Sequence, residues 1–170
     1  MRNFRLNYSI LLLFFVIVLI SCDKTKKYDE EEQAKIDNFL AINPTLVFER
    51  KASGLYYRDI TVGTGAQVET HDTVYIFFTA KLLDGLMFDS NLNTDSIKFV
   101  VNEGQGMPAL NEGLQYMKEG GKSAMLVPSD LAFGEMGTTY VGNLGAIVIG
   151  GYTPILLEVE VPTLIKASGR

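Results

Sequence analysis

VYIFFTAKLLDGLMFDS, residues 74–90, is the stretch from which the rest of the chain can be read. Val74, Ile76, Phe78, Ala80 and Leu82 alternate with Tyr75, Phe77, Thr79 and Lys81, so on a pleated strand the first set shares one face and the second set the other. Asp84-Gly85 follows where a two-residue type I′ turn needs positive φ, and Phe88-Asp89-Ser90 then returns antiparallel. The predicted hairpin sets Asp89 beside an apolar face.

Outward from the hairpin, the pattern is strand-rich. Residues 54–60 read as a strand, and Gly63-Thr64-Gly65 as a turn. SNLNTD, residues 90–95, is a polar loop ahead of a strand in which Ile97, Phe99 and Val101 face one way. Asn102 to Gly106 is a turn. Pro108 sits where the first helical position tolerates a missing N–H, and Leu110, Leu114 and Met117 form an i, i+4, i+7 stripe for one short helix. Residues 121–127 are a further strand, PSDLAFG (128–134) a turn-rich bulge, and 135–152 a glycine-rich loop. The last strand alternates Ile155, Leu157, Val159 and Val161 inward with Glu158 and Glu160 outward, as a half-buried antiparallel strand does.

Several segments occur in an order that resembles the FKBP-type peptidyl-prolyl isomerases: GLYYRDITVGTG at 54–65, the DG hairpin with FDS at 84–90, KF and NEGL within 98–114, MKEGGKS at 117–123, PSDLAFG at 128–134 and PILLEVEV at 154–161. The resemblance covers residues 54–165. It implies an α+β fold, a curved and mainly antiparallel sheet wrapped around one short helix, and isomerisation of X-Pro bonds without metal or cofactor. It also implies a prolyl pocket formed by Phe78, Phe88, Met107 and Phe133 with Leu110, walled by Ile97, Ile149 and Leu157, with Asp89 at the rim and the Met107 N–H facing a substrate carbonyl. The chain departs from the family at four places. Phe78 and Phe133 stand where many members carry tyrosine, Leu110 where tryptophan is frequent, and the loop after Gly134 is several residues longer and ends Ile149-Gly150-Gly151. The added glycine implies a freer flap with a larger ordering cost. An alternative in another class is a proline-directed binding or chaperone module, or a component of an envelope machine such as gliding motility, with little turnover.

The composition limits what else the chain can do. One cysteine and one histidine exclude an internal disulfide, a Cys/His zinc site and a Cys-His nucleophilic pair. His71 lies in ETHDT, a solvated turn. All 20 acidic residues follow Cys22, against 13 of the 15 basic ones, so the chain beyond it carries −7 and is a poor partner for nucleic acid.

The N-terminus has its own logic. Arg2 and Arg5 precede the unbroken apolar run Ile10–Ile20, which at 1.5 Å per residue covers only about half of a ~30 Å bilayer core and matches a signal-peptide h-region. Leu19-Ile20-Ser21-Cys22 resembles the bacterial lipobox, which implies removal of residues 1–21 and acylation of Cys22 as a lipid anchor in the bacterial envelope. Residues 22–33 read as a charged tether. Residues 34–53 read as an N-terminal helix with a linker, the amphipathic stretch spanning 31–42 and packing either on the following domain or against a second copy of the chain, with a short strand at 46–48. Residues 166–170 form a tail.

Overall fold

The computed structural model describes residues 26–168, so the expectations for residues 1–21 and for Cys22 lie outside the described residues. Seven strands form one antiparallel sheet: β1 (Glu49–Arg50), β2 (Tyr56–Thr61), β3 (Thr73–Leu82), β4 (Met87–Ser90), β5 (Ile97–Val100), β6 (Gly121–Val127) and β9 (Ile155–Ile165). Their order is β1-β2-β6-β9-β3-β4, with β5 also pairing with β3. Strands β7 (Thr138–Gly142) and β8 (Gly145–Ile149) pair separately as a hairpin. Helix α1 spans residues 26–42 and α2 runs Pro108–Leu114. This is the expected α+β architecture.

The core follows from the alternation. Val74 and Ile76 of β3 and Val159 and Val161 of β9 are buried together with Leu114 and Met117, each large apolar side chain contributing about 1.5–3 kcal/mol on burial. Helix α2 approaches the sheet closely because Gly113 has no side chain: a Cβ there would lie 2.3 Å from Sδ of Met125. The helix ends at Leu114, so Met117, expected as its last apolar contact, is instead buried just beyond the C-terminus.

The turn between β3 and β4 differs from the expected type I′. Gly85 N–H donates to Leu82 C=O at 3.0 Å and Leu82 N–H to Leu86 C=O at 2.9 Å. Gly85 has φ of 95°, whereas Asp84 is not among the residues with positive φ. The loop is therefore the three-residue kind, with glycine in the left-handed position. Asp84 instead uses its side chain, accepting Leu86 N–H at 2.9 Å.

The stretch read as a tether is helical from residue 26. Its exposed face carries the spaced pairs Lys26–Glu30 and Lys27–Glu31, which support a helix only weakly. What holds it is tertiary: Ile36 and Phe39 pack against Tyr56 and Leu126. The helix therefore docks within its own chain, one of the two placements that the amphipathic pattern allows. In the supposed linker the strand falls at Glu49–Arg50, paired with Tyr57 and Tyr56, and not at residues 46–48. At the other end Asp72, fully buried, accepts from Ala167 N–H and from Lys166 Nζ, both at 2.9 Å, so the start of the tail is fastened to the turn before β3.

Candidate active site

A cavity of about 620 Å³ opens where β3, β4, β5 and the start of α2 meet the segment after β6. The pleat of β3 turns Ile76, Phe78 and Ala80 into it, and Leu157, opposite Ala80 on β9, adds to the same wall. Phe88 comes from β4, Ile97 from β5, and Met107 with Leu110 from the start of α2. Phe133 follows the 3₁₀ turn Ser129–Leu131. Phe99 is buried and also forms part of the wall. Among the described residues, the polar side chains lining the cavity are Lys98, Gln105 and Tyr140.

Three rings form its aromatic wall. Phe88 and Tyr140 lie 5.3 Å apart at 75°, Phe133 and Tyr140 5.7 Å apart at 66°, and Phe88 and Phe133 6.2 Å apart at 65°. All are edge-to-face, the arrangement that opposes ring edges to ring faces. Tyr140 was absent from the expected pocket. It comes from the β7–β8 hairpin, where the sequence showed only a glycine-rich loop.

Tyr140 also changes the account of Asp89. This carboxylate is 3% exposed and does not line the cavity; it sits behind the ring wall and not at the rim. Its Oδ2 accepts from the Tyr140 hydroxyl at 2.5 Å, and its Oδ1 from the N–H of Asn143 at 2.8 Å and of Ser90 at 2.9 Å. A buried charge is tolerated when its lone pairs are filled in this way. The hydroxyl that Phe78 and Phe133 lack is thus supplied from the flap. Burial first, and then the neighbouring Asp89, push the Tyr140 phenol well above its usual range, so it remains a donor.

Ile149 is the other displaced residue. Thr138, Tyr140, Ile147 and Ile149 share the inner face of the hairpin through the pairs Thr138↔Ile149 and Tyr140↔Ile147. Ile149 is at the root of the hairpin, 2% exposed within the core, whereas Tyr140, nearer the tip, reaches the cavity. The flap is also not the loose loop that its glycines implied. A Cβ on Gly137 would lie 2.2 Å from the Ile149 carbonyl oxygen, and one on Gly151 would lie 1.8 Å from that of Glu135. The glycines permit close backbone approach.

A second unforeseen residue is Asn91, read as part of a polar loop. It is 1% exposed. Its Oδ1 accepts Phe78 N–H at 2.6 Å, while Nδ2 donates to the carbonyls of Ile76 at 3.0 Å and Asp95 at 3.2 Å. The side chain completes the ladder of β3 where β4 has ended and β5 has not begun, which fixes the backbone that carries Phe78. His71, by contrast, sits in the exposed turn before β3 and pairs with Glu103.

Comparison with known proteins agrees with this geometry. Residues 65–161, more than half of the chain, match the model of the FKBP-type peptidyl-prolyl cis-trans isomerase family. The chain is 34% identical over 141 residues to the FKBP-type peptidyl-prolyl cis-trans isomerase FkpA of Aeromonas hydrophila, covering 82% of this chain and 51% of that protein. It is 40% identical over 112 residues to the outer membrane protein MIP of Legionella longbeachae, covering 64% of this chain and 46% of the relative. It therefore spans about half the length of these curated relatives. In fold it is similar to a peptidyl-prolyl cis-trans isomerase of Pseudomonas syringae, with TM-score 0.66 at 24% identity over 84% of this chain and 96% of the other. The match over residues 65–161, on a sheet and helix that enclose an aromatic cavity, makes this chain a member of the FKBP-type peptidyl-prolyl cis-trans isomerase family.

Proposed function

We propose that the protein isomerises X-Pro bonds of exported polypeptides at the bacterial envelope. The observation that carries this reading is the apolar cavity closed on one side by Phe88, Phe133 and Tyr140. Rotation about an X-Pro amide breaks no bond, and its barrier is the loss of C–N resonance, near 18–20 kcal/mol for a peptide bond. The twisted amide has lost the dipole of the planar one, so a dry pocket favours it over the ground state. A difference of ~5 kcal/mol suffices for roughly 10⁴-fold acceleration.

In this reading the prolyl ring sits against Phe78, Phe88, Phe133 and Tyr140, with Leu110 and Leu157 beneath it. The Met107 N–H, immediately before α2, meets a substrate carbonyl. Asp89 acts through Tyr140 and the Asn143 loop, holding the flap against the ring, and is a positioning residue. The lipid anchor on Cys22 and the signal peptide at 1–21 are part of the proposal. They are supported by the lipobox pattern and by the name of a relative, outer membrane protein MIP. Two or more acyl chains, at about 0.8 kcal/mol per buried CH₂, suffice for stable anchoring.

A second reading, proline-directed binding with little turnover, draws on the outer face of the flap, where Val141, Leu144 and Val148 are exposed. A protease-coupled X-Pro assay on the full chain in detergent separates the two. Acceleration that drops at least about tenfold, ~1.4 kcal/mol at the barrier, with Phe88→Ala supports the enzyme. Peptide binding without acceleration supports the module, and the absence of both acceleration and binding would leave the cavity without either role.

A further inference from the structure

Helix α1 touches the domain at both roots of the segment that carries Phe133 and Tyr140. At the first root Glu32, 7% exposed, accepts the Ser129 N–H through Oε1 at 2.6 Å and the Ser129 hydroxyl through Oε2 at 2.7 Å. The Ser129 carbonyl in turn accepts from the N–H groups of Ala132 and Gly134, both at 2.8 Å. The position of Ser129 therefore sets the backbone on either side of Phe133. At the second root Tyr28 stacks on Tyr152 at 5.1 Å, and Lys35 Nζ reaches the Tyr152 carbonyl at 3.4 Å. Tyr152 holds a left-handed φ of 53°, a conformation a bulky residue keeps only where its surroundings impose it. Its N–H donates to Gly134 C=O at 3.2 Å, which ties one root to the other.

Tyr28, Glu32 and Lys35 recur at i, i+4 and i+7 and so share one face of α1. Ile36 and Phe39, buried against Tyr56 and Leu126, hold that face on the sheet. Hydrogen bonds to a buried carboxylate are strong, and breaking them leaves either a buried charge or a buried donor unpaired. The family model covers residues 65–161, so these α1 residues lie outside it.

We propose that α1 is a positioning element of the site, with Glu32 as its positioning residue, clamping both roots of segment 129–152 so that Phe133 and Tyr140 keep their places in the cavity wall. The kinetic consequence rests on the isomerase reading; the clamp itself does not.

The test uses the full chain in detergent and compares wild type with Glu32→Ala and Glu32→Gln. Two quantities are read: kcat/KM on an X-Pro peptide below the melting range of each variant, and hydrogen exchange at the amides of Ala132, Gly134 and Tyr152 relative to those of β6. Glu32→Ala is expected to lower kcat/KM about fivefold, the equivalent of ~1 kcal/mol at the barrier, and to speed exchange at the three amides while β6 stays protected. Glu32→Gln, whose amide oxygen accepts the N–H and whose NH₂ donates to the Ser129 hydroxyl, is expected to restore both. If Glu32→Ala leaves kcat/KM within about twofold, a barrier change of at most ~0.4 kcal/mol, and all amides exchange in step, α1 contributes stability alone and the proposal is overturned. If Glu32→Ala does not fold, Ser129→Ala and Tyr28→Ala carry the same comparison, and unchanged rates and exchange in both overturn it. A wild type without isomerase activity removes the isomerase reading, and the exchange data still decide the clamp.

Discussion

The Tyr140 hydroxyl donates to Oδ2 of Asp89 at 2.5 Å, joining the flap hairpin to β4 across 51 positions of chain. The bond places the third ring of the cavity wall and satisfies a carboxylate that is 3% exposed. Tyr140→Phe keeps the ring and removes the donor. It is expected to lower stability by about 1–3 kcal/mol, the penalty for an unsatisfied buried acceptor, and to reduce X-Pro turnover. Denaturant midpoints and the coupled assay measure the two effects. Because the phenol is held above its ordinary range by burial and by Asp89, wild-type activity should show no loss through the ordinary phenol range at about pH 10. A loss of activity centred at about pH 10 would contradict the assigned hydrogen bond.

Gly142 is where the hairpin meets that carboxylate. A Cβ there would lie 2.6 Å from Cγ of Asp89 and 2.6 Å from Cε1 of Tyr140. Gly142→Ala is therefore expected to push the flap from the cavity, at a cost of about 1–3 kcal/mol, and to weaken binding of X-Pro peptides by titration calorimetry. Gly150→Ala is the control. Its Cβ would meet only Thr153 Oγ1 at 3.6 Å, an ordinary contact, so binding should be unchanged.

Asn91 stands in for a strand. Asn91→Leu leaves the N–H of Phe78 and the carbonyl of Ile76 without their partners, and two such losses amount to about 2–4 kcal/mol. Urea unfolding should show this as a lower midpoint with an unchanged slope. A loss under about 0.5 kcal/mol, the size of an ordinary surface substitution, would mean that the backbone finds other partners.

Asp72 makes the tail sensitive to acid. Burial alone would raise its pKa, but hydrogen bonds from Ala167 N–H, from Lys166 and from Glu69 N–H outweigh this and hold it below the usual carboxylate range. A lowered folded-state pKa means that the unfolded chain binds the proton first as pH falls. The contribution is thus complete above the unfolded value of about 4 and is lost as pH drops through the folded one. Melting curves of Asp72→Asn should be less stable than wild type at neutral pH and flatter below about pH 4. Parallel curves would show that the carboxylate does not drive the acid loss.

The local pattern was sufficient for most strands of the main sheet, and the resemblance of the motifs to the family supplied most of the cavity lining. Period-two alternation placed Ile76, Phe78 and Ala80 on one face of β3, and Leu157 on the inward face of β9, because a pleated strand allows side chains only two directions. Pro108 marked the start of α2 for an equally local reason, its fixed φ and absent N–H. Residues whose partners lie far along the chain were not legible. Tyr140 and Asn91 are ordinary polar loop residues in sequence, and only the docking of the hairpin and the gap between β4 and β5 make them structural. The glycines from 134 to 151 suggested freedom because close backbone approach leaves no local signature. The charge run at 26–33 suggested a tether because Glu32 becomes a buried ligand of Ser129 only after α1 has folded onto the sheet.

The sequence by itself therefore determined most of the main sheet and the short helix, since each depends on neighbours two to four residues away, and its motifs, through their resemblance to the family, pointed to Phe78, Phe88 and Phe133 in the lining. Only the tertiary structure decided which flap residue enters the wall, what satisfies Asp89, and that the N-terminal helix belongs with the domain. Those outcomes depend on hydrogen bonds and contacts between segments 50 to 120 positions apart, whose partners no local pattern can name.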